Sequence, residues 1–460
     1  MTALISDQLA NIIDPRSVLS GTRVSEYAVD GVVPEAVACP ENRAQLIEIL
    51  RWASAGKATV FPRGGGTRQG LGNIPERVDL VLDLRRLNRV LNYQPADMTV
   101  SAEAGITVSA LRQELAAGGM FLPLEAPAAS QATIGGTLSI AGSGPLAFTY
   151  GPPRDWLIGI GVVSAAGVET KSGGKVVKNV TGYDLNKLYT GSLGTLGVIV
   201  EATFKVSPLA PESGALLASF PSLEASIDAG RTLFRSASGP LGYLCATNGV
   251  SRRFQGPQGI SINQPLDLAD GNPNGLNCIA FAFYSGRPRA TKRRVDESAA
   301  ALETAGASAV TRLEGAQVPQ VLEWVTDLGW STATRPFLAL KVSVPPQAVL
   351  GVAAELQKVN LISGPPEIAA DPGFGTVRVL WWNDGPETPG EQVCLDAISS
   401  VRQVARNSGG AAVVEHCPTD IKKGVDVWGE EPEGMEIMRR IKCKFDPEGI
   451  LNPGRFLGRL

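Results

Sequence analysis

The chain has 460 residues, 44% of them hydrophobic, with a formal charge of −3 and both signs mixed throughout. That length predicts two or three domains with real cores. The near-neutral balance offers no electrostatic footprint for nucleic acid or an anionic membrane. A single histidine, His416, excludes any His-rich metal site, and six scattered cysteines without a CxxC pair argue against zinc ribbons and iron–sulfur clusters. The first twenty residues lack the cationic-then-apolar order of a secretory signal, so free thiols in a reducing cytosol are expected.

Residues 1–25 read as a lead-in, loosely held. Pro40, Glu41 and Asn42 open a helix whose apolar face carries Leu46, Ile47, Leu50 and Trp52. A strand over 58–61 follows, then a glycine loop. Strands are expected over 78–84 and 98–104. A helix over 107–117 carries Val108, Leu111 and Leu115 on one face and stops at Gly118-Gly119. The longest uncharged stretch, 126–153, is long enough to cross a bilayer. It is rich in Gly, Ser, Thr and Pro, and reads as buried loops and short strands. Strand-like runs recur over 156–164 and 194–206. The segment 207–214, with two prolines and a glycine, predicts a domain boundary.

The second half alternates strands (278–284, 337–344, 377–382, 411–414) with helices (288–305, 346–356, 392–407). That rhythm suggests one sheet covered by helices. The Gly-, Pro- and Asn-rich segment 253–277 reads as a long loop.

Five segments carry chemistry. Pro62-Arg63-Gly64-Gly65-Gly66-Thr67 follows a strand, and three glycines let backbone N–H groups face an anion without a Cβ in the way. It matches neither the ATPase loop nor the dinucleotide fingerprint GxGxxG. The others are Ser130-Gln131-Ala132-Thr133-Ile134-Gly135-Gly136-Thr137, Tyr150-Gly151-Pro152-Pro153-Arg154-Asp155, the run from Gly173 through Lys178-Asn179-Val180-Thr181-Gly182-Tyr183-Asp184 to Gly194, Gly197 and Ile199, and Phe445-Asp446-Pro447 to Asn452-Pro453-Gly454-Arg455. Each alone is common.

Together and in this order they resemble the vanillyl-alcohol-oxidase (PCMH) type of FAD-binding flavoprotein, most closely the E subunit of bacterial glycolate oxidase. The resemblance implies an α+β fold. An FAD domain over 26–210 is completed by a C-terminal segment, 431–460, with an α/β cap over 215–430 inserted between them. It implies non-covalent FAD. Pro62, Arg63, Gly64, Gly65, Gly66 and Thr67 would hold the pyrophosphate. Ser130, Gly135, Gly136 and Thr137 would lie along pyrophosphate and flavin, with Arg154 and Asp155 beside the cofactor. Gly194, Gly197 and Ile199 would line the adenine and ribitol side, and Asn452 would close over the isoalloxazine.

In the related D subunits and D-2-hydroxyglutarate dehydrogenases a Glu-His pair belongs to the substrate site. Here Glu415-His416 stands at a comparable distance before Phe445. His416 is either a base or a structural residue closing a strand. The family's further metal-binding histidines would lie near Trp381-Trp382-Asn383-Asp384-Gly385. None is there, so no metal is carried over. One of the two tryptophans is expected to pack and the other to face the substrate cleft. Trp428 is expected to pack in a core, and Lys422, Lys423 and Arg455 to be solvated charges.

The reaction implied is oxidation of a small 2-hydroxy acid such as glycolate. The partners implied are a D-type flavoprotein subunit and an iron–sulfur F-type subunit, in the cytoplasm or peripheral to the inner membrane. A non-catalytic flavin-bearing relay subunit is the alternative. A sugar or aldonolactone oxidase would tether FAD through His or Cys near the glycine loop. Neither occurs from 41 to 130, and Cys39 stands too early.

Overall fold

The computed structural model describes residues 4–174, 182–247, 249–250, 278–328, 335–361, 364–383 and 388–460. The chain forms two compact units: Met1–Ser143 with Pro152–Leu209 and Asp426–Leu460, and Gly144–Gly151 with Ala210–Val425.

The first unit contains two principal sheets. In the smaller, strands Ala36–Ala38, Leu80–Asp83 and Val60–Arg63 run parallel, in that spatial order, with Val18–Leu19 antiparallel at the edge. Parallel neighbours need a crossover, and the helix Arg43–Gly56 supplies it. Asn42 caps that helix by accepting from the Gln45 N–H at 3.0 Å. Leu46, Ile49, Leu50 and Ala53 recur at helical spacing and are buried. The second sheet is antiparallel, in the order Val90–Gln94, Thr99–Glu103, Val198–Lys205, Leu157–Val163, Glu169–Gly173. Leu111, Leu115, Leu138, Ile160 and Phe204 belong to the core it shares with helices Val108–Ala117 and Ile134–Ile140.

The C-terminal residues complete this unit through backbone bonds to a strand laid down almost four hundred residues earlier. Val60 N donates to Ile450 O at 2.7 Å and Asn452 N donates to Val60 O at 3.0 Å. Lys442, on helix Met435–Phe445, adds bonds from its buried ammonium to the carbonyls of Thr195 and Leu451, both at 2.8 Å.

The second unit is one eight-stranded sheet in which every pairing is antiparallel. Helices Leu223–Arg235, Pro288–Thr304, Val349–Leu356 and Glu391–Asn407 pack against it. All six cysteines are free, and four of them are buried.

Two expectations are corrected. The lead-in is anchored: Leu9, Ile13 and Val18 sit in the core around the parallel sheet, because this stretch has apolar side chains to bury. The uncharged stretch 126–153 contains helices Ile134–Ile140 and Ala147–Tyr150, the first started by a Thr133 cap that outweighs its glycines. The boundary expected at 207–214 falls between Leu209 and Ala210; on either side of it Ser207–Pro208 pairs with Met120–Phe121, and Glu212 begins the long strand Glu212–Phe220. The expected loop 253–277 lies outside the described residues, as does the Lys178–Thr181 part of the motif that runs to Asp184.

Candidate active site

The parallel strand Val60–Arg63 runs into Gly64–Gly66, which turns sharply under the segment before helix Ile134–Ile140. A Cβ on Gly65 would strike the Gln131 carbonyl oxygen. Gly66 has φ +71°, and a Cβ there would come within 2.5 Å of the Arg63 guanidinium. Only glycine allows two loops and a cation this close. Arg63 lies over the Tyr27 ring, its guanidinium carbon 4.3 Å from the ring centre. Its Nε is buried without a hydrogen-bond partner among the described residues, and burial pulls its pKa down from the ordinary guanidinium value.

The opposite wall starts with Thr133, whose hydroxyl accepts from Gly136 N at 3.2 Å. Gly135 N donates to Ala104 O at 2.9 Å. Further along the chain, Leu193 and Gly194 both adopt left-handed backbone. That reversal is fixed by Leu193 N donating to Ser139 O at 2.8 Å and by Asn452 Nδ2 donating to Leu193 O at 2.6 Å. Asn452 Oδ1 is buried and unmatched among the described residues.

These walls line a cavity that opens to solvent. Pro62, Arg63, Gly64, Gly65, Gly66, Thr67, Gly135, Gly136, Thr137, Gly194, Gly197, Ile199 and Asn452 all line it. Ser130, Arg154 and Asp155 do not: they are exposed and lie off the wall. Small side chains that the sequence did not single out, among them Ala104 and Ala126, complete the lining.

Arg455 lines the cavity too and is no solvated charge, being 3% exposed. It pairs with Asp30 and donates to the carbonyls of Gln69, Leu71 and Asn73, gathering a whole loop. Its own carbonyl accepts from Trp428 Nε1 at 2.9 Å, and Trp428 also packs on Phe456. The only advance signal for Arg455 was its place within the Asn-Pro-Gly-Arg run.

A half-buried cation with a buried, unmatched N–H, glycine turns at close approach and an open cavity between them suit a diphosphate joined to flat rings. The residues present therefore fit FAD.

The remaining candidates lie in the second unit. His416 ends the strand Ala411–His416, half-buried, beside buried Glu415 and Cys417. Glu415 Oε2 is 3.4 Å from Arg378 Nε on strand Thr376–Trp381. Lys422 is buried, against expectation, while Lys423 is exposed and pairs with Asp420 at 2.8 Å. Trp381 and Trp382 are both buried. Asp384 and Gly385 lie outside the described residues. Among the described residues no helix is long and apolar enough to cross a membrane.

Comparison with known proteins agrees with this geometry. Residues 34–172 match the model of the FAD binding domain, and residues 395–456 that of the C-terminal domain of FAD linked oxidases. The glycolate oxidase subunit GlcD of Bacillus subtilis is 25% identical over 445 residues, covering 93% of this chain and 90% of its own. The subunit GlcE of Escherichia coli is 33% identical, but over 37% of this chain and 48% of its own. The E-subunit resemblance is thus confined to part of the chain, and the whole-length likeness is to a D subunit. In fold, the chain is similar to p-cresol methylhydroxylase, with a TM-score of 0.72 at 17% identity, covering 98% of this chain and 95% of that one. The chain is an FAD-dependent oxidoreductase of the p-cresol methylhydroxylase type of fold.

Proposed function

We propose that this chain oxidises a small 2-hydroxy acid, glycolate or a close relative, to the 2-oxo acid. The observation that carries the reading is the cavity in which the Arg63–Thr67 loop, the Gly135–Thr137 turn and C-terminal Asn452 converge. The support for the substrate class is the whole-length likeness to a glycolate oxidase subunit.

FAD would be held without a covalent bond: Arg63 and the backbone of Gly64–Thr67 would neutralise its diphosphate, Gly135, Gly136 and Thr137 and, opposite, Gly194, Gly197 and Ile199 would line its site, and Asn452 would close the flavin end. Bound there, FAD supplies a two-electron acceptor for hydride from the carbinol carbon. His416 is the candidate base for the hydroxyl proton. It is the chain's one histidine.

Electrons leave to another redox protein. The six cysteines have no cluster spacing, so an iron–sulfur subunit acts in trans, alongside a further flavoprotein subunit. The second reading, a flavin-bearing relay subunit, draws on the partial likeness to GlcE.

Anaerobic mixing of the FAD-loaded protein with glycolate, lactate and 2-hydroxyglutarate tests both. Bleaching of the flavin absorbance by one acid is the expected result. A flavin that no 2-hydroxy acid reduces, yet that a purified iron–sulfur partner does reduce, sinks the first reading in favour of the second.

A further inference from the structure

Arg63 ends the strand Val60–Arg63 and stands directly opposite Asp83, the last residue of the parallel strand Leu80–Asp83. Residues paired in this way project from the same face of a sheet, with their backbones about 5 Å apart. Asp83 is therefore the nearest natural counter-ion for Arg63, yet it is committed elsewhere. Its carboxylate accepts from Arg85 Nε at 3.0 Å, from Arg85 Nη2 at 2.6 Å and from the Tyr27 hydroxyl at 3.1 Å. That hydroxyl in turn accepts from Arg85 Nη2 at 3.0 Å. Tyr27 is buried, and its ring lies against the Arg63 guanidinium, 4.3 Å from ring centre to guanidinium carbon. The same guanidinium fits closely over Gly66, where a Cβ would come within 2.5 Å of both Nε and Nη2. Arg63 Nε is buried with no hydrogen-bond partner among the described residues.

We propose that Tyr27 is the positioning residue for Arg63: its ring carries the guanidinium in the cavity wall, while Arg85, by holding Asp83, keeps that guanidinium available to the FAD diphosphate. The proposal rests on the reading in which Arg63 meets the diphosphate, and adds the residues that keep it poised to do so.

A buried carboxylate without a partner is costly, so it draws in any cation beside it. Arg85 forestalls this by gripping Asp83 with two N–H groups of one guanidinium, the strongest kind of charge-assisted contact. Its own side chain is 52% exposed while that of Asp83 is 3% exposed, so the bridge desolvates the carboxylate more than the cation. An aromatic face attracts a guanidinium through its ring electrons. It takes up none of the guanidinium's N–H groups, so stacking on Tyr27 fixes where Arg63 stands and leaves its donors to a ligand. The planar array of donors suits phosphate oxygens. Tyr27 itself cannot swing away, because its hydroxyl both gives a hydrogen bond to Asp83 and receives one from Arg85. Three residues outside the glycine loop thus set the state of the one cation that follows its strand.

The test is titration of FAD into the full-length apoprotein, read by quenching of flavin fluorescence, with the melting temperature of each variant checked first. No hydroxy acid is present, so the outcome is independent of the oxidation reading. Arg63→Met should weaken FAD binding roughly 10- to 100-fold, the loss of one charge-assisted contact. Tyr27→Leu should weaken it roughly 3- to 30-fold through the lost stacking, and Tyr27→Phe, which keeps the ring, should lose much less. Arg85 is not part of the cavity wall, yet Arg85→Met should weaken FAD about as much as Arg63→Met, because Asp83 then draws Arg63 away. Adding Asp83→Asn to Arg85→Met should restore the affinity, whereas a purely structural pair would be damaged further by the second change. If the Tyr27 variants melt too low to titrate, the Arg85→Met and Asp83→Asn combination decides alone. Unchanged affinity in Arg85→Met, or no recovery when Asp83→Asn is added, overturns the proposal. Arg63→Met that loses affinity while Tyr27→Leu and Arg85→Met bind as wild type overturns it and spares the diphosphate contact. Arg63→Met that binds FAD as tightly as wild type removes that contact and the proposal with it.

Discussion

Asn452 donates its side-chain amide to the carbonyl of Leu193 at 2.6 Å, across 259 residues of chain. Its own N–H bonds Val60 O, at the root of the glycine loop. One residue therefore ties two walls of the cofactor cavity together. Asn452→Ala leaves the Leu193 carbonyl unmatched, a loss of about 1–3 kcal/mol, and should lower the flavin retained after gel filtration along with Tm. Deleting the last ten residues should remove FAD altogether. A truncated protein with full flavin content would show that the C-terminus has no part in the site.

Arg455 and Asp30 form an ion pair that is nearly solvent-free, at 4% and 10% side-chain exposure. Removing one partner of such a pair strands the other's charge, at roughly 3–5 kcal/mol. Arg455→Met should thus lower stability strongly and loosen FAD by freeing the loop that carries Gln69, Leu71 and Asn73. Adding Asp30→Asn should recover part of the stability in urea melts but not the loop bonds, so flavin retention should stay low. Full recovery of both would mean that the charge pair alone matters.

Cys39 is the one cysteine near the glycine loop, and burial pushes its thiol up to about 11. A thiol held protonated is a poor nucleophile. Acid precipitation should therefore release all yellow colour into the supernatant, and Cys39→Ser should leave flavin content unchanged. Colour that stays in the pellet of wild type and leaves it in Cys39→Ser would establish a covalent link.

Asp371 ends the strand Glu367–Asp371, and burial pushes its carboxyl up to about 7 from an unfolded value of 3.8, against the pull of the Phe374 and Gly373 N–H groups and of Arg378. The folded state then holds this proton more tightly than the unfolded chain. Its contribution is complete below pH 4 and is lost as pH rises to about 7, on the order of 4 kcal/mol in all. Asp371→Asn keeps an oxygen for the two N–H bonds and should flatten that part of the stability profile in denaturant titrations. An unchanged slope would assign it to other groups.

Local elements were legible because local chemistry makes them. The Asn42 and Thr107 caps, the helical spacing of Leu46 and Leu50, and the apolar runs of 157–163 and 198–205 lie within single windows of sequence. Most of the cavity wall was legible for the same reason: glycine at a turn marks a close approach whichever neighbour arrives. Ser130, Arg154 and Asp155 stand in the same motifs but off the cavity wall, since which side of a turn meets the cavity depends on what packs behind it. Arg455 looked like a surface charge because its partners are remote: the loop at Gln69 to Asn73 that buries it lies over 380 residues away. The Arg378–Glu415 pair was equally invisible, since it needs strands brought together by the sheet. Sequence by itself determined the turns, caps and apolar periodicities, which are set by neighbours a few residues apart. Tertiary structure alone decided which charges are buried and which residues share a wall, because desolvation and pairing are properties of the assembled surroundings rather than of the residue.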